Sequence, residues 1–222
     1  VNRFNVIVVH RRGGKTVFAI NHLIKAALTN KKPYPKYAFI SPYRVQGKST
    51  AWDYMKQFSA AIPGTKFNES ELRVDFSVNN SRIQIIGAEN SSAIRGQYFD
   101  GVIVDETQNI APDMFDTILR PCLSDRKGFA IFIGTPMGRN WFFDLHQRAK
   151  ETKDWFTCQF KASETKIIPQ EELDAAKATM SVDAYEQEFE CSFQAGVSGS
   201  YYGSIMEDLE KKNKVRDFEI DL

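Results

Sequence analysis

Two short stretches of the sequence carry side chains whose types and spacing could handle phosphate chemistry. The first is Val9-His10-Arg11-Arg12-Gly13-Gly14-Lys15-Thr16. Gly13 and Gly14 let the backbone curl so that its N–H groups point inward. A helix starting at Thr16 adds unpaired N–H donors and the positive end of its dipole. Lys15 supplies a point charge for the β- and γ-phosphates of a nucleotide, and the Thr16 hydroxyl can ligate Mg2+. The usual loop has a glycine where Val9 stands. This one carries Arg11 and Arg12 instead, whose guanidinium groups can donate to phosphate oxygens. A glycine turn with a solvated basic cluster would use the same residue types; the strand before the loop and the helix after it favour the phosphate reading.

The second stretch is Gly101-Val102-Ile103-Val104-Asp105-Glu106. Apolar β-formers end in two carboxylates, which places the acids at the carboxyl edge of a buried strand, where open α/β sheets bind ligands. Asp105 would hold Mg2+, through water. Glu106 would orient and deprotonate an attacking water, which hydrolysis needs because water is a poor nucleophile. An acidic turn at a strand end is common, so the assignment draws on the phosphate loop upstream. A glutamate directly after the metal-binding aspartate argues for a nucleotide hydrolase over a small-molecule kinase, which needs no water activator.

Two further segments could couple hydrolysis to movement. Gly134-Thr135-Pro136-Met137-Gly138 follows the apolar run 130–133, and Thr135 could sense the γ-phosphate through its hydroxyl. The same five residues are also good turn chemistry. Arg95, beside Gly96, is a candidate arginine finger, although chemistry alone favours a surface arginine.

The elements that must position these groups alternate between β-branched runs and helical periodicity, which predicts an α/β layered fold with a mostly parallel central sheet flanked by helices. Strands are expected over 4–9, 37–40, 101–104, 130–133 and 155–160, and a hairpin over 72–78 and 82–86 around Asn79-Asn80-Ser81. Helices are expected over 16–30, 49–61, 111–123, 139–150, 170–180 and 182–193, with Pro112 in the first turn of its helix. After Gly196 the chain turns small and polar and then charge-rich, so residues 1–196 read as one domain and 197–222 as a linker and the start of a second. The chain opens inside a strand-like run without a preceding Met, and further residues are expected before it.

Composition sets the remaining bounds. With 29 Lys and Arg against 28 Asp and Glu, the formal charge of +1 excludes a polycation that binds nucleic acid by net charge, but not a local basic groove. Cys122, Cys158 and Cys191 lie far apart and form no CxxC pair, so they read neither as a zinc site nor as a disulfide framework, and a reducing cytosol is the simplest setting. No apolar run reaches the roughly 18–20 residues that span a bilayer.

Taken together, the Arg-rich phosphate loop after Arg3-Phe4-Asn5-Val6-Ile7-Val8, the pair Arg95-Gly96, the run Val102 to Glu106 and Gly134-Thr135-Pro136-Met137-Gly138 resemble the large terminase subunit of tailed bacteriophages, in its N-terminal motor ATPase domain. Ser41 to Lys48 with Trp52 also resembles the segment after the second strand of that family, and the likeness covers roughly residues 3 to 203. The resemblance implies a P-loop NTPase of the ASCE type that uses ATP and Mg2+ to drive double-stranded viral DNA, independent of sequence, into the procapsid. It implies catalytic roles for Glu106, Arg95 and Arg12, nucleotide contacts from Arg11 through Thr16, metal ligation by Thr16 and Asp105, and a coupling role for Thr135. It places an arginine at Arg95 that reaches the neighbouring subunit's ATP.

The partners implied are the portal protein, the small terminase subunit and further copies in a ring, a pentamer, with the isolated domain monomeric. The location implied is the host cytoplasm, transiently on the procapsid. Phosphate-directed DNA contacts would fall to Arg44, Lys48 and Arg139 on loops near the active edge, although each is more often just a solvated charge. The family's adenine-holding glutamine segment would lie upstream of this chain. Its nuclease domain would follow the junction-like Gly199-Ser200-Tyr201-Tyr202-Gly203, so the chain as written should not cut DNA. A helicase-like DNA-dependent ATPase and a non-hydrolysing, nucleotide-gated assembly subunit are the alternatives. The first would carry a second phosphate-loop-like domain, and Glu106 argues against the second.

Overall fold

In the computed structural model, which describes residues 2–194 together with 209, 212 and 214, the β-branched runs assemble into one eight-stranded sheet. The strands are β1 (Phe4–Val9), β2 (Lys36–Ser41), β3 (Thr65–Asn68), β4 (Arg73–Phe76), β5 (Ser81–Gly87), β6 (Gly101–Val104), β7 (Phe129–Gly134) and β8 (Trp155–Phe160). Their spatial order is β3-β4-β5-β2-β6-β7-β1-β8. From β5 to β8 every neighbouring pair is parallel, whereas β3, β4 and β5 pair antiparallel.

Parallel strands must be covered on both faces because their crossovers are helices. The helices are α1 (Lys15–Thr29), α2 (Arg44–Gly47), α3 (Asp53–Ser59), α4 (Ser91–Ile94), α5 (Arg120–Cys122), α6 (Trp141–Glu151), α7 (Ala162–Thr165), α8 (Gln170–Thr179) and α9 (Val182–Glu188). On one face Val9, Phe39, Ile85, Ile103, Ile131 and Ile133 pack against Ile20 and Leu23 of α1 and Trp52 and Met55 of the α3 region. On the other, Val6, Val8, Ile40, Val104 and Phe132 pack against Met114, Phe115, Phe142 and Leu145. The alternation of side chains along each strand fills both cores, and all four residues of β6 are buried.

The structure corrects several expected boundaries. The second helical run starts at Arg44 rather than Ser49: α2 and α3 are joined by the π-helical Lys48–Trp52. The run expected over 111–123 is π-helical from Met114 to Leu119 before α5, so Pro112 precedes it instead of entering its first turn. Asn140 caps α6 by accepting from Phe142 N–H, which sets Arg139 outside that helix. The last helix ends at Glu188, before Phe189. β3 and the short α4 and α7 have no periodic run in sequence, and the hairpin register is fixed instead by Asn79 and left-handed Asn80. The boundary at 196/197 and the junction-like segment 199–203 lie outside the described residues. Among the described residues no helix is long and apolar enough to cross a membrane.

Candidate nucleotide site

Strand order brings the two chemical stretches together. β7 lies between β1 and β6, and all three run parallel, with Val8 opposite Gly134 and Val104 opposite Phe132. Their C-terminal ends therefore share one edge of the sheet. The loop after β1 and the acids after β6 face each other across the end of β7, about 10 Å apart at two inter-strand spacings.

The loop gains its shape from three positions. Arg12 and Gly14 take left-handed backbone at φ 64° and 78°. At Gly13 a Cβ would stand 2.4 Å from Val9 Cγ1 and 3.0 Å from His10 O, so only glycine fits that close approach. Gly14 occupies the N-cap of α1 with no side-chain cap and no acid in the first turn, which leaves the helix's first N–H groups facing the edge. Lys15 and Thr16 open the helix, and Lys15 Nζ donates to Thr135 Oγ1 at 2.9 Å. Thr135, buried, in turn donates to Val9 O at 3.0 Å. The lysine is thus held by the segment read as a coupling motif.

Neighbouring elements clamp the start of the loop. His10 is fully buried; its Nδ1 donates to Arg11 O at 2.7 Å, and its Nε2 accepts from the Thr165 hydroxyl of α7 at 2.8 Å. Arg11 N–H donates to Glu188 O at the end of α9, and the exposed Arg11 side chain pairs with the Glu188 carboxylate at 3.2 Å. Arg12 is exposed at the loop's tip.

Asp105 and Glu106 differ in setting. Asp105 is 5% exposed, and its Oδ1 is buried with no hydrogen-bond partner. Burial first, and Glu106 second, push its carboxyl up to about 6 against the opposing pull of Lys15. A buried carboxylate oxygen without a donor, next to a lysine and a second acid, fits a divalent cation, with the Thr16 hydroxyl as a second candidate ligand. Among the described residues no group of three or more His, Cys, Asp or Glu forms a complete metal cage. Glu106 is half-buried and takes left-handed backbone at φ 48°, a conformation costing about 1–3 kcal/mol for a non-glycine residue. The Thr107 hydroxyl maintains this turn through Val104 O at 2.9 Å and Ile133 O at 3.0 Å, and Gln108 Nε2 donates to Glu106 Oε2 at 2.5 Å.

The remaining candidates lie elsewhere. Arg95 is exposed after α4, which follows β5; its turn is tied to Cys122 through Ile94 O, and β2, β6 and β7 stand between β5 and β1. The structure therefore does not bring Arg95 to the phosphate loop of its own chain. Arg44, Lys48 and Arg139 are exposed and follow the C-terminal ends of β2 and β7, on the same edge as the site. Arg44 is engaged by Ser70 O, and Arg139 lies over the Phe143 ring at 6.0 Å. Sequence reasoning missed Gln108, Thr165 and Glu188. The spacing Asp-Glu-x-Gln was a visible signal for Gln108; the other two are joined to the loop only by tertiary packing. Beside the loop a cavity of about 550 Å3 is lined by Gly13, Lys15, Phe18, Phe160, Glu164 and Ile167 among others.

The chain is similar to a set of known proteins. The family model described as terminase large subunit, T4-like-virus type, N-terminal, matches residues 7–207. The terminase large subunit of Escherichia phage T5 is 23% identical over 225 residues, covering 98% of this chain and 49% of that protein. The chain thus spans about half the length of this curated relative. Among solved structures, the large terminase ATPase domain of Thermus phage P74-26 matches with a TM-score of 0.73 at 19% identity, covering 87% of this chain and 89% of that one. The large terminase of a second thermophilic bacteriophage, in complex with ADP, matches with a TM-score of 0.73 at 14% identity, covering 86% of this chain and 48% of that one. At these identities the structural likeness shows the fold alone, a mostly parallel sheet flanked by helices.

Proposed function

The chain belongs to the terminase large-subunit family of the T4-like-virus type, N-terminal part, and on that premise we propose that it is an ATP-hydrolysing motor domain that drives double-stranded viral DNA into a procapsid. The observation that carries the reading is the insertion of β7 between β1 and β6, which sets Lys15, Thr135, Asp105 and Glu106 on one edge. The structural relative described in complex with ADP supports a nucleotide as ligand.

In this reading the loop N–H groups and Lys15 hold the β- and γ-phosphates, with Arg11 and Arg12 contributing once Arg11 leaves Glu188. The nucleoside extends into the apolar cavity beside Gly13, between Phe18 and Phe160. Thr16 and Asp105 would hold Mg2+, whose contribution when bound is to offset charge on the phosphate oxygens. Glu106 orients a water molecule and takes its proton as the water oxygen bonds to the γ-phosphorus. The bond from that phosphorus to the bridging oxygen breaks, and ADP departs with the electron pair. Thr135, bonded to both Lys15 and Val9, reports the change at the γ-position to the loop that follows it.

Arg95, remote from its own loop, would act on a neighbouring subunit's nucleotide in a ring of copies, the pentamer that the family implies. The portal protein and small terminase subunit are the further partners proposed, in the host cytoplasm, with Arg44, Lys48 and Arg139 as DNA phosphate contacts. Residues 197–222 would lead into a nuclease domain.

Glu106→Ala is the direct test. The variant should bind ATP and fail to hydrolyse it, and mixing it with Arg95→Ala protein should restore part of the turnover. Unchanged turnover in Glu106→Ala removes Glu106 from the mechanism; no recovery in the mixture removes the action of Arg95 between subunits.

A further inference from the structure

Gln108 lies two residues beyond the second acid and is 9% exposed. Its amide N–H donates to Glu106 Oε2 at 2.5 Å, while its own Oε1 is buried with no hydrogen-bond partner. A buried amide gains most by satisfying both ends. This one leaves its acceptor end without a donor to keep its N–H on the carboxylate, so the contact with Glu106 sets how the side chain lies.

One neighbour holds the backbone of Gln108, and another leaves room for its amide. Asn140, the N-cap of α6, donates to Gln108 O at 3.2 Å. Gly134, the last residue of β7 and the one before Thr135, leaves space for the amide and for the Phe142 ring: a Cβ at Gly134 would stand 2.4 Å from Gln108 Oε1 and 2.9 Å from Phe142 Cε1. The carboxylate of Glu106, the amide of Gln108 and the end of β7 are therefore packed in series. Left-handed Glu106 has its backbone fixed by Thr107, and Gln108 supplies the remaining restraint, on the side chain.

We propose that Gln108 is a positioning residue for hydrolysis, its buried amide orienting the Glu106 carboxylate, and that glycine at position 134 leaves this amide, with Phe142, room against β7. The inference rests on the hydrolytic reading of Glu106 given above. It adds that a residue with no phosphate or metal to touch governs turnover and not nucleotide affinity.

The test is a split between turnover and binding. In Gln108→Leu, kcat should fall by about tenfold to a hundredfold, while affinity for ATPγS stays within about twofold of wild type. Gly134→Ala should give the same split with Gln108 still present, because its methyl group displaces the amide. Gln108→Glu keeps the shape of the side chain and replaces the donor with an acceptor; it serves if either of the others fails to fold, and should lose turnover in the same way. Added to Glu106→Ala, Gln108→Leu should leave the residual turnover of the single variant unchanged. Unchanged kcat in these variants, a fall in affinity that matches the fall in kcat, or an additive loss on top of Glu106→Ala would each overturn the proposal. Hydrolysis by the wild-type chain keeps the two readings apart: if wild type turns over and the Gln108 variants equal it, only the role of Gln108 is lost, whereas an inactive wild type removes both.

Discussion

Lys15, Thr135 and Val9 form a relay: the ammonium donates to the hydroxyl, and the hydroxyl donates to the strand-end carbonyl. Thr135→Val keeps the shape and removes both bonds. The orphaned Val9 carbonyl should cost about 1–3 kcal/mol of stability, and Lys15, no longer held, should bind nucleotide more weakly. Thr135→Ser should restore both, as read by chemical denaturation and ATPγS titration; a valine variant equal to the serine variant in both would mean the hydroxyl has no part. At this scale the sequence was informative where chemistry is carried by rare residue combinations. Gly-Gly-Lys-Thr and Asp-Glu at a strand end stand out, and the structure brings them to one edge. Glu188 looks like an ordinary polar residue until packing sets it against Arg11, whereas the spacing of Gln108 from Glu106 was visible but its contact was not. Arg95 was legible as a position beside glycine, but not its separation from the loop, which follows from strand order.

Elements were legible where a core face is continuous. β1, β6 and β7 read as near-unbroken apolar runs because helices cover both their faces, and they were found within a residue or two. β3 was not, because its Lys66 and Phe67 are exposed at the sheet's edge and impose no alternation. The junction of α6 with β8 offers a pH test of packing. His146 is buried on α6, donating from Nδ1 to the Thr157 hydroxyl, which itself donates to Val6 O. Burial, with Lys150 nearby, pushes its imidazole down to about 4. The unfolded chain takes up the proton near pH 6.5 and the folded one only near 4, so this contribution is complete above 6.5 and is lost as pH falls through that window. Between pH 7 and 5 it should amount to about 2 kcal/mol. Urea unfolding at both values should show a steeper loss in wild type than in His146→Leu; equal slopes would mean that His146 is protonated in the fold.

For the molecule as a whole, the decisive fact is topological. A formal charge of +1 and ordinary composition say little about a partner, but a parallel sheet with β7 between β1 and β6 creates a cleft that faces a phosphate loop on one side and two acids on the other. The sequence contained both halves of that cleft and could not state their relation, because strand order depends on how crossovers pack and not on the residues at the strand ends. The measurement that tests the account most directly is a crystal structure of the chain with Mg2+ and ATPγS. The γ-phosphate should contact Lys15, with Thr16 and Asp105 holding the metal and with Glu106 facing the thiophosphate across one water. A nucleotide bound away from this edge, or a bound nucleotide with both acids turned from it, would contradict the account.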